Sequence, residues 1–324
     1  MAKALLSWLV ALMVPVLYAG GVYLLFNLKM LGQTSTVTVM FVSFLLGVPF
    51  GMGYLTVALS DMEQVRSKTY CGMAPWIPVF IFMGLTFMWK IEGLGCWLMI
   101  CPVWLLVSSI AGFLTGTRRR RCADESQKLQ GGWILLLPIL CSPVESLVSQ
   151  LPVRYEAYTY TDIQAPPEII WSNVVRVRTI GEDEDHGRLT RILGFPRPIR
   201  AELNYAGVGG SRQAIFSKGL IFEEIVKEYE EQRKMRFSIK ADAHSIPPST
   251  MDEHIVIGGE YFDVLDGIYR LEKLGEGVYR LHLYSHFVLK THFNWYASWW
   301  AGWIMKDIQN NILQVIQTRC QGKL

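Results

Sequence analysis

Residues 278–318, VYRLHLYSHFVLKTHFNWYASWWAGWIMKDIQNNILQVIQT, decide the fold of the second half of this chain. Their first part, 278–290, alternates along its length, which predicts a strand with two unlike faces. Their second part, about 292–318, repeats apolar residues at steps of three and four, which predicts a long helix. The more apolar strand face comprises Tyr279, Leu281, Leu283, Ser285, Phe287 and Leu289. We expect that face to lie toward the helix and the other face toward water.

The predicted helix is rich in tryptophan. One of its faces comprises Phe293, Tyr296, Ala297, Trp300, Ile304, Ile308, Ile312 and Val315. Trp295, Trp299 and Trp303 form an adjoining stripe at steps of four. We expect most of the tryptophans to cap the sheet as core residues. The alternative is that some line a cavity or contact lipid headgroups, where tryptophan is common.

Shorter segments upstream predict the rest of an α and β domain. A strand at 153–162 precedes a helix that begins at Ala165-Pro166-Pro167-Glu168, where proline and an acidic residue suit the first turn. Further strands, separated by turn residues, are predicted at 201–205, 212–216, 220–229, 234–240 and 269–273. The acidic run at 182–185 lacks the ligand spacing and the glycine of a calcium loop, so we interpret it as a solvated loop.

The first half of the chain has a different composition. Apolar runs cover about 4–27, 36–59, 74–89 and 94–116, and a weaker run covers 131–151. A bilayer core is crossed by about 20 apolar residues in a helix, and no run after Leu151 is long enough. We therefore predict a membrane module of four to five spans at 1–151 and a water-soluble domain at 152–324.

Basic residues predict the orientation of the module, since Lys and Arg favour the cytoplasmic side. With a cytoplasmic N-terminus and every run spanning, the inner side holds Lys3, Arg66, Lys68, the four arginines at 118–121 and Lys128. The outer side then holds only Lys29 and Lys90. The run at 131–151 contains Glu145 near its end, and we expect it to cross. The domain would then lie outside the cytoplasm, at an inner membrane; a re-entrant segment would leave it inside.

The sequence argues against several kinds of chemistry. The soluble part has 21 Lys and Arg against 22 Asp and Glu, so it lacks the positive field that attracts nucleic acid. It contains one cysteine, Cys320, which excludes a disulfide framework. His282 and His286 lie four residues apart on a predicted strand, about 13 Å, too far to share a zinc ion. We interpret both as surface histidines and predict neither a metal nor a cofactor.

The order of elements, together with three stretches of sequence, resembles a known superfamily. The stretches are 165–171 (APPEIIW), 207–212 (GVGGSR) leading to Gly219 with Glu223 and Glu224, and the tryptophan-rich last helix. They are similar to the START-like, helix-grip superfamily, which includes Bet v 1 proteins and polyketide cyclases, over about 152–318. The resemblance implies an α+β fold, a curved antiparallel sheet around a long C-terminal helix. It also implies an apolar cavity for lipids, sterols or polyketides, and a bacterial origin.

A candidate pocket follows from these patterns. Its residues are Arg212, Glu223, Leu281, Leu283, Phe287, Phe293, Tyr296, Trp300 and Ile304. Arg212 would either hold a ligand oxygen or form a structural pair with Glu223 or Glu224, which are predicted on the next strand. The predicted function is membrane-anchored binding of a lipid or other hydrophobic molecule. The alternatives are a cyclase or dehydrase acting on a lipophilic substrate, with no catalytic residue identified, and a membrane protein that docks another protein.

Overall fold

The computed structural model describes residues 2–27, 40–121, 132–148, 151–241 and 257–322, with side chains from Leu6 onward. The chain divides into two compact units, Met1–Gln150 and Leu151–Leu324. Lys3 lies before the described side chains, and Lys29 and Lys128 lie outside the described residues.

The first unit is helical throughout its described parts. Its helices are α1 (Ala2–Asn27), α2 (Val42–Leu59), α3 (Met62–Val65), α4 (Lys68–Met73), α5 (Trp76–Met88), α6 (Leu94–Arg121) and α7 (Leu137–Leu147), with a 3-10 helix at Gly132–Leu136 before α7. Among the described residues, four helical stretches are long and apolar enough to cross a membrane: Leu6–Phe26, Val42–Leu59, Lys68–Met88 and Leu94–Arg121. These lengths and compositions indicate membrane association. The apolar stretch Gly132–Leu147 is shorter than these four.

Charged side chains from other helices cap both ends of α2. The carboxylate of Glu145 accepts hydrogen bonds from the backbone N–H groups of Val42 and Ser43 at the first turn. At the other end, Arg119 Nη1 donates to the carbonyls of Val57 (2.8 Å) and Ser60 (2.7 Å). Each charge complements the helix dipole and satisfies backbone groups that a helix end leaves without partners. The two residues therefore have structural roles at opposite ends of α2.

The segment leading through α7 runs antiparallel to α2. Leu135 packs against the cluster of Tyr54, Leu55 and Ala58 near the end of α2. Pro138 lies against Gly47, where an added Cβ would be 2.6 Å from the proline ring. Since Glu145 then reaches Val42, this segment follows α2 along most of its length.

The second unit contains one antiparallel sheet. Within residues 151–241 and 257–322, seven strands form the order β1-β7-β6-β5-β4-β3-β2. The strands are β1 (Val153–Gln164), β2 (Pro198–Leu203), β3 (Ser211–Phe216), β4 (Ile221–Glu230), β5 (Lys234–Ala241), β6 (Phe262–Gly275) and β7 (Val278–Leu289). Two short helices, α8 (Pro167–Val175) and α9 (Leu189–Leu193), follow β1, and α10 (Asn294–Cys320) follows β7.

The long helix packs on the sheet. Leu313 and Ile316 of α10 are fully buried in one cluster with Ile163 of β1 and Leu281 of β7. Bulges interrupt the register between β4 and β5 and between β6 and β7, and such bulges bend and twist a sheet. A curved antiparallel sheet around a C-terminal helix is the architecture that the resemblance implied. The second unit has a helix-grip fold.

The prediction that the more apolar face of β7 lies toward α10 is confirmed. Leu281, Leu283, Ser285 and Phe287 are all buried, and Ser285 Oγ accepts a hydrogen bond from Gln309 of α10 at 2.8 Å.

The prediction for the outer face of β7 is wrong for Val288, which is 7% exposed, and for His282, which is also 7% exposed. Its Nδ1 lies 2.9 Å from the Tyr158 hydroxyl, and its Nε2 lies 3.0 Å from Glu272. Tyr158 and Tyr284 stack around the ring, because neighbouring strands place aromatic side chains on the same outer face. His286 remains partly exposed, between Asp266 and Glu156.

The acidic run at 182–185 is also not uniformly solvated. Asp185 is 8% exposed, pairs with Arg197 at 2.8 Å and accepts from Asn311 Nδ2 of α10 at 2.8 Å. Glu184 pairs with Arg319 of α10 at 2.7 Å. The run therefore joins the loop after α8 to the terminal helix through a hydrogen bond and an ion pair.

Candidate functional site

A small cavity lies beneath α10 on the inner face of the sheet. Its volume is about 100 Å³. Sites for drug-sized molecules are usually about 300–1,000 Å³, and a water molecule takes up about 30 Å³ in the liquid. The space therefore holds a few waters or a group of the size of one ring. The apolar part of its wall includes Phe195, Phe216, Leu220, Phe222, Ile257 and Met305.

Arg212 and Glu224 form a buried ion pair in the cavity wall. They occupy directly opposed positions on β3 and β4, and both face inward because side chains alternate along a strand. Arg212 Nη1 lies 2.6 Å from Glu224 Oε2, and the two residues are 3% and 5% exposed. The guanidinium also lies 5.4 Å from the ring centre of Phe237 and 5.9 Å from that of Tyr269, within cation–π distance.

Burial and charge act against each other in this pair. Burial raises the pKa of Glu224 above its ordinary value, and Arg212 offsets only part of that rise. Burial alone would lower the pKa of Arg212, but Glu224 and Tyr269 outweigh it, so that pKa is raised. Burial also raises the pKa of Tyr269. The guanidinium thus stays charged, and its charge is balanced locally by one carboxyl group.

One donor in the cavity wall has no partner. Among the described side chains that line the cavity, Arg212 Nε is a buried nitrogen without a hydrogen-bond acceptor. A buried donor without an acceptor costs about 1–3 kcal/mol, and such groups mark sites where a water or a ligand supplies the missing atom.

Gln309 of α10, by contrast, has its polar atoms paired with the sheet. Its Oε1 accepts from the Thr159 hydroxyl at 3.1 Å. Its Nε2 donates to the Ala157 carbonyl at 3.1 Å and to Ser285 Oγ at 2.8 Å. These bonds fix the middle of α10 against β1 and β7. They therefore also fix the part of α10 that covers the cavity.

The residues predicted for the pocket divide into three groups. Arg212 and Leu283 line the cavity. Glu223 is exposed on the opposite face of β4, and its neighbour Glu224 takes the inward position. The remaining residues are buried or half-buried but lie outside the cavity wall: Leu281, Phe287, Phe293, Tyr296, Trp300 and Ile304. The cavity lies beneath the part of α10 from Met305 to Ile312. This part follows the aromatic first turns of the helix.

Sequence reasoning missed several residues of the wall: Phe237, Tyr269, Met305 and Gln309. The sequence does offer a signal for Gln309. It is a polar amide that directly follows Ile308, a residue of the predicted apolar face of the helix. No comparable signal marks Tyr269, since its approach to Arg212 depends on the register of β5 and β6.

Metal-binding groups show no clustering in the described parts of the chain. No set of three or more His, Cys, Asp and Glu side chains lies close enough there to hold an ion. His282 and His286 each face carboxylates on neighbouring strands rather than each other.

The second unit resembles several solved structures. A truncated norcoclaurine synthase from Thalictrum flavum is 11% identical, covers 53% of this chain and 97% of its own, and has a TM-score of 0.34. A START superfamily protein from Mycobacterium smegmatis is 9% identical over 52% of this chain and 99% of its own, with a TM-score of 0.35. Ara h 8.0201 is 12% identical over 52% of this chain and 99% of its own, with a TM-score of 0.31. No family model and no curated protein matches the chain.

Proposed function

We propose that this chain is a membrane-anchored binding protein for a small apolar molecule that carries an oxygen acceptor. The observation that carries the proposal is the unpartnered Arg212 Nε in a cavity whose wall is mostly apolar. Burial of apolar ligand area supplies the affinity, at about 25 cal/mol per Å², and one hydrogen bond to Arg212 fixes the orientation.

The ion pair restricts the chemistry of that oxygen. Since Glu224 already balances the charge of Arg212, a second carboxylate beside this pair would be buried with no net positive charge next to it. A carbonyl, ether or hydroxyl oxygen avoids this cost. The proposed ligand is therefore neutral at the end that reaches Arg212.

The cavity volume restricts the size. A space of about 100 Å³ accepts one ring or a short branched group, whereas a whole lipid requires the wall to move. Arg200 is the exposed member of the wall, and Pro198, two residues before it on β2, also lines the cavity. We place the entrance there, with the rest of a larger ligand outside it.

Filling the cavity will abolish binding without unfolding the protein. Ala214 lies on β3 two residues after Arg212, is 7% exposed and lines the cavity. Ala214→Leu adds three carbons to a space that holds them, so we expect the loss of stability to lie at the low end of the about 1–3 kcal/mol that added core methylenes cost. The measurement is native mass spectrometry of the full-length protein in mild detergent, followed by solvent extraction of bound small molecules.

The matched control is Gln213→Leu, which places the same side chain on the opposite, exposed face of β3. The wild type and this control will carry the same extractable molecule, and Ala214→Leu will carry none. Undiminished ligand in Ala214→Leu, or an empty wild type purified without delipidation, contradicts the proposal.

An enzymatic role is the second candidate, and the raised pKa of the buried Glu224 favours it. Glu224→Gln separates the two roles, because it keeps the shape of the side chain and removes its acid–base function. A binding protein will carry the same molecule as the wild type, at an occupancy lowered by the unpaired charge of Arg212. An enzyme accumulates a ligand of different mass, the unconverted substrate.

For the anchor, we propose five crossings, with the C-terminal unit on the outer side of the membrane. Arg119 lies at one end of α2 and Glu145 at the other, and clustered arginines favour the cytoplasmic side. The chain leaves the first unit next to Glu145, which corresponds to the outer end.

Reporter fusions in a bacterial host test this topology. Alkaline phosphatase fused after Leu324 will be active and green fluorescent protein at the same position dark, because each reporter matures on one side only. Fusions after Ser126, beyond the arginine cluster, serve as the control and will show the reverse pattern. A fluorescent fusion after Leu324 would instead mean four crossings and a cytoplasmic domain.

A further inference from the structure

The first turns of α10 carry an exposed row of three indoles, here called the tryptophan stripe: Trp295, Trp299 and Trp303. They are 56%, 61% and 56% exposed. This contradicts the expectation that most tryptophans of this helix are core residues, since only Trp300 of the four is half-buried. Large apolar side chains exposed side by side mark surfaces that contact another phase or molecule.

The stripe ends abruptly along the same side of the helix. At the following helical steps the exposed positions are Lys306, Asn310 and Gln314. The exposed side of α10 is therefore aromatic over its first three turns and polar beyond them.

The aromatic part of α10 lies at the end of the sheet where the chain enters the domain. Val153, the first residue of β1, pairs with Leu289, the last residue of β7. Asn294, the first residue of α10, donates from Nδ2 to the Leu289 carbonyl at 3.3 Å. The other end of α10 lies far from this point, because Gln317 Nε2 donates to the Asp162 carbonyl near the end of β1.

The covalent chain between the two units is short where it enters this end of the domain. Five residues, 148–152, separate the end of α7 from β1. The six steps from Leu147 to Val153 span at most about 20 Å when extended. The stripe thus belongs to the end of the domain at which the chain enters from the first unit.

We propose that the tryptophan stripe inserts into the headgroup region of the bilayer that carries the first unit. Indole rings favour this region because their apolar body and their N–H group match its two environments. The exposed Lys290 and Lys306 flank the stripe along the chain and supply positive charge for lipid phosphates. Pro198, at the proposed cavity entrance, pairs with Phe216 at this same end of the sheet, so docking would bring the cavity entrance to the lipid.

Photo-crosslinking in nanodiscs tests the proposal with the full-length protein. The probe is a phospholipid with a diazirine at the top of its acyl chain, and crosslinked residues are located by peptide mass spectrometry. We expect labels at 294–303. The matched internal control is the turn with Tyr205 and Val208, which are 51% and 62% exposed but lie at the opposite end of the sheet, and we expect no label there.

The triple variant Trp295→Gln, Trp299→Gln, Trp303→Gln removes the stripe but not the fold, because these side chains are mostly in solvent. It will lose the labels at 294–303 and keep the labels on α6, while hydrogen exchange in β7 stays unchanged. Hydroxyl-radical footprinting of the indoles distinguishes the remaining outcomes. Unlabelled and oxidised indoles lie in water, and unlabelled but protected indoles are covered by protein, such as a second copy of this chain. Either result overturns the proposal.

Discussion

Arg212→Met will destabilise the C-terminal unit by about 3–5 kcal/mol, because removing one partner of a buried ion pair leaves the other charge unpaired in the interior. Glu224 is 5% exposed, so the few waters that the cavity holds replace the lost guanidinium only in part. The apolar part of the arginine is kept in methionine, which limits the loss of packing. Hydrogen exchange of the β3 and β4 amides, measured on the full-length protein in detergent, will speed up by roughly 10²–10⁴-fold at that cost.

Two further variants distinguish the effect of the ion pair on stability from the effect of side-chain packing. Arg212→Met combined with Glu224→Leu removes both charges and will recover most of the lost stability, since apolar replacements of buried pairs are often neutral. Arg236→Met is the matched single control. Its side chain is 42% exposed and pairs with Glu228 and Asp266, and exposed pairs contribute about 0–1 kcal/mol. A double variant as unstable as Arg212→Met would show that the charge is not the cause.

The pH dependence of the same variant has a definite sign. Without Arg212, the pKa of Glu224 rises further above its unfolded value, so the protonated acid favours the folded state. The stability deficit of Arg212→Met relative to the wild type will therefore be smallest near and below the ordinary glutamate pKa of 4.5. The deficit will grow as the pH rises through the pKa of Glu224 in the folded variant. Measurements of the free energy of unfolding at pH 5 and pH 8 will show this difference.

The architecture of the second unit could be predicted because its signals are local. The alternation at 278–290 and the helical repeat after it follow from the geometry of each element alone. Residues 262–268 of β6 were missed because Gly267 and Asp266 interrupt the pattern. Gly267 is tolerated there because the Phe237 ring occupies the place of a side chain, 2.5 Å from where a Cβ would lie.

The candidate site was harder to predict because it depends on pairing between strands. The sequence indicates that either Glu223 or Glu224 faces Arg212, and only the register of β3 with β4 decides for Glu224. The volume of the cavity depends on how far side chains from seven elements, six strands and α10, fill the interior, which no pattern in one strand encodes. The roles of Asp185 and Glu184 were likewise hidden, because their partners Asn311 and Arg319 lie more than 120 positions away.

Asp185→Ala will destabilise the C-terminal unit by about 3 kcal/mol, because one substitution removes several bonds to a buried carboxylate. Asp185 accepts from Gly187 N–H at 3.2 Å and from Asn311 at 2.8 Å, and it pairs with Arg197 at 2.8 Å. Hydrogen bonds to charged groups contribute about 1.5–3 kcal/mol each, and part of that is regained when water reaches the partly exposed arginine. Hydrogen exchange will rise in both the loop at 181–188 and the middle of α10, which the carboxylate joins.

Asp183→Ala is the matched control, because Asp183 belongs to the same acidic run but is exposed, and it will change stability by less than about 0.5 kcal/mol. Burial alone raises the pKa of Asp185, but the bonds from Arg197, Gly187 and Asn311 outweigh it, so the folded pKa lies below the ordinary value of 3.8. The stabilisation is therefore complete above that value and is lost as the pH falls through the folded pKa. The difference in the free energy of unfolding between the wild type and Asp185→Ala will be constant from pH 5 to pH 8 and will narrow below pH 4. A gap that instead narrowed with rising pH would show that the carboxylate is not the group that joins the loop to α10.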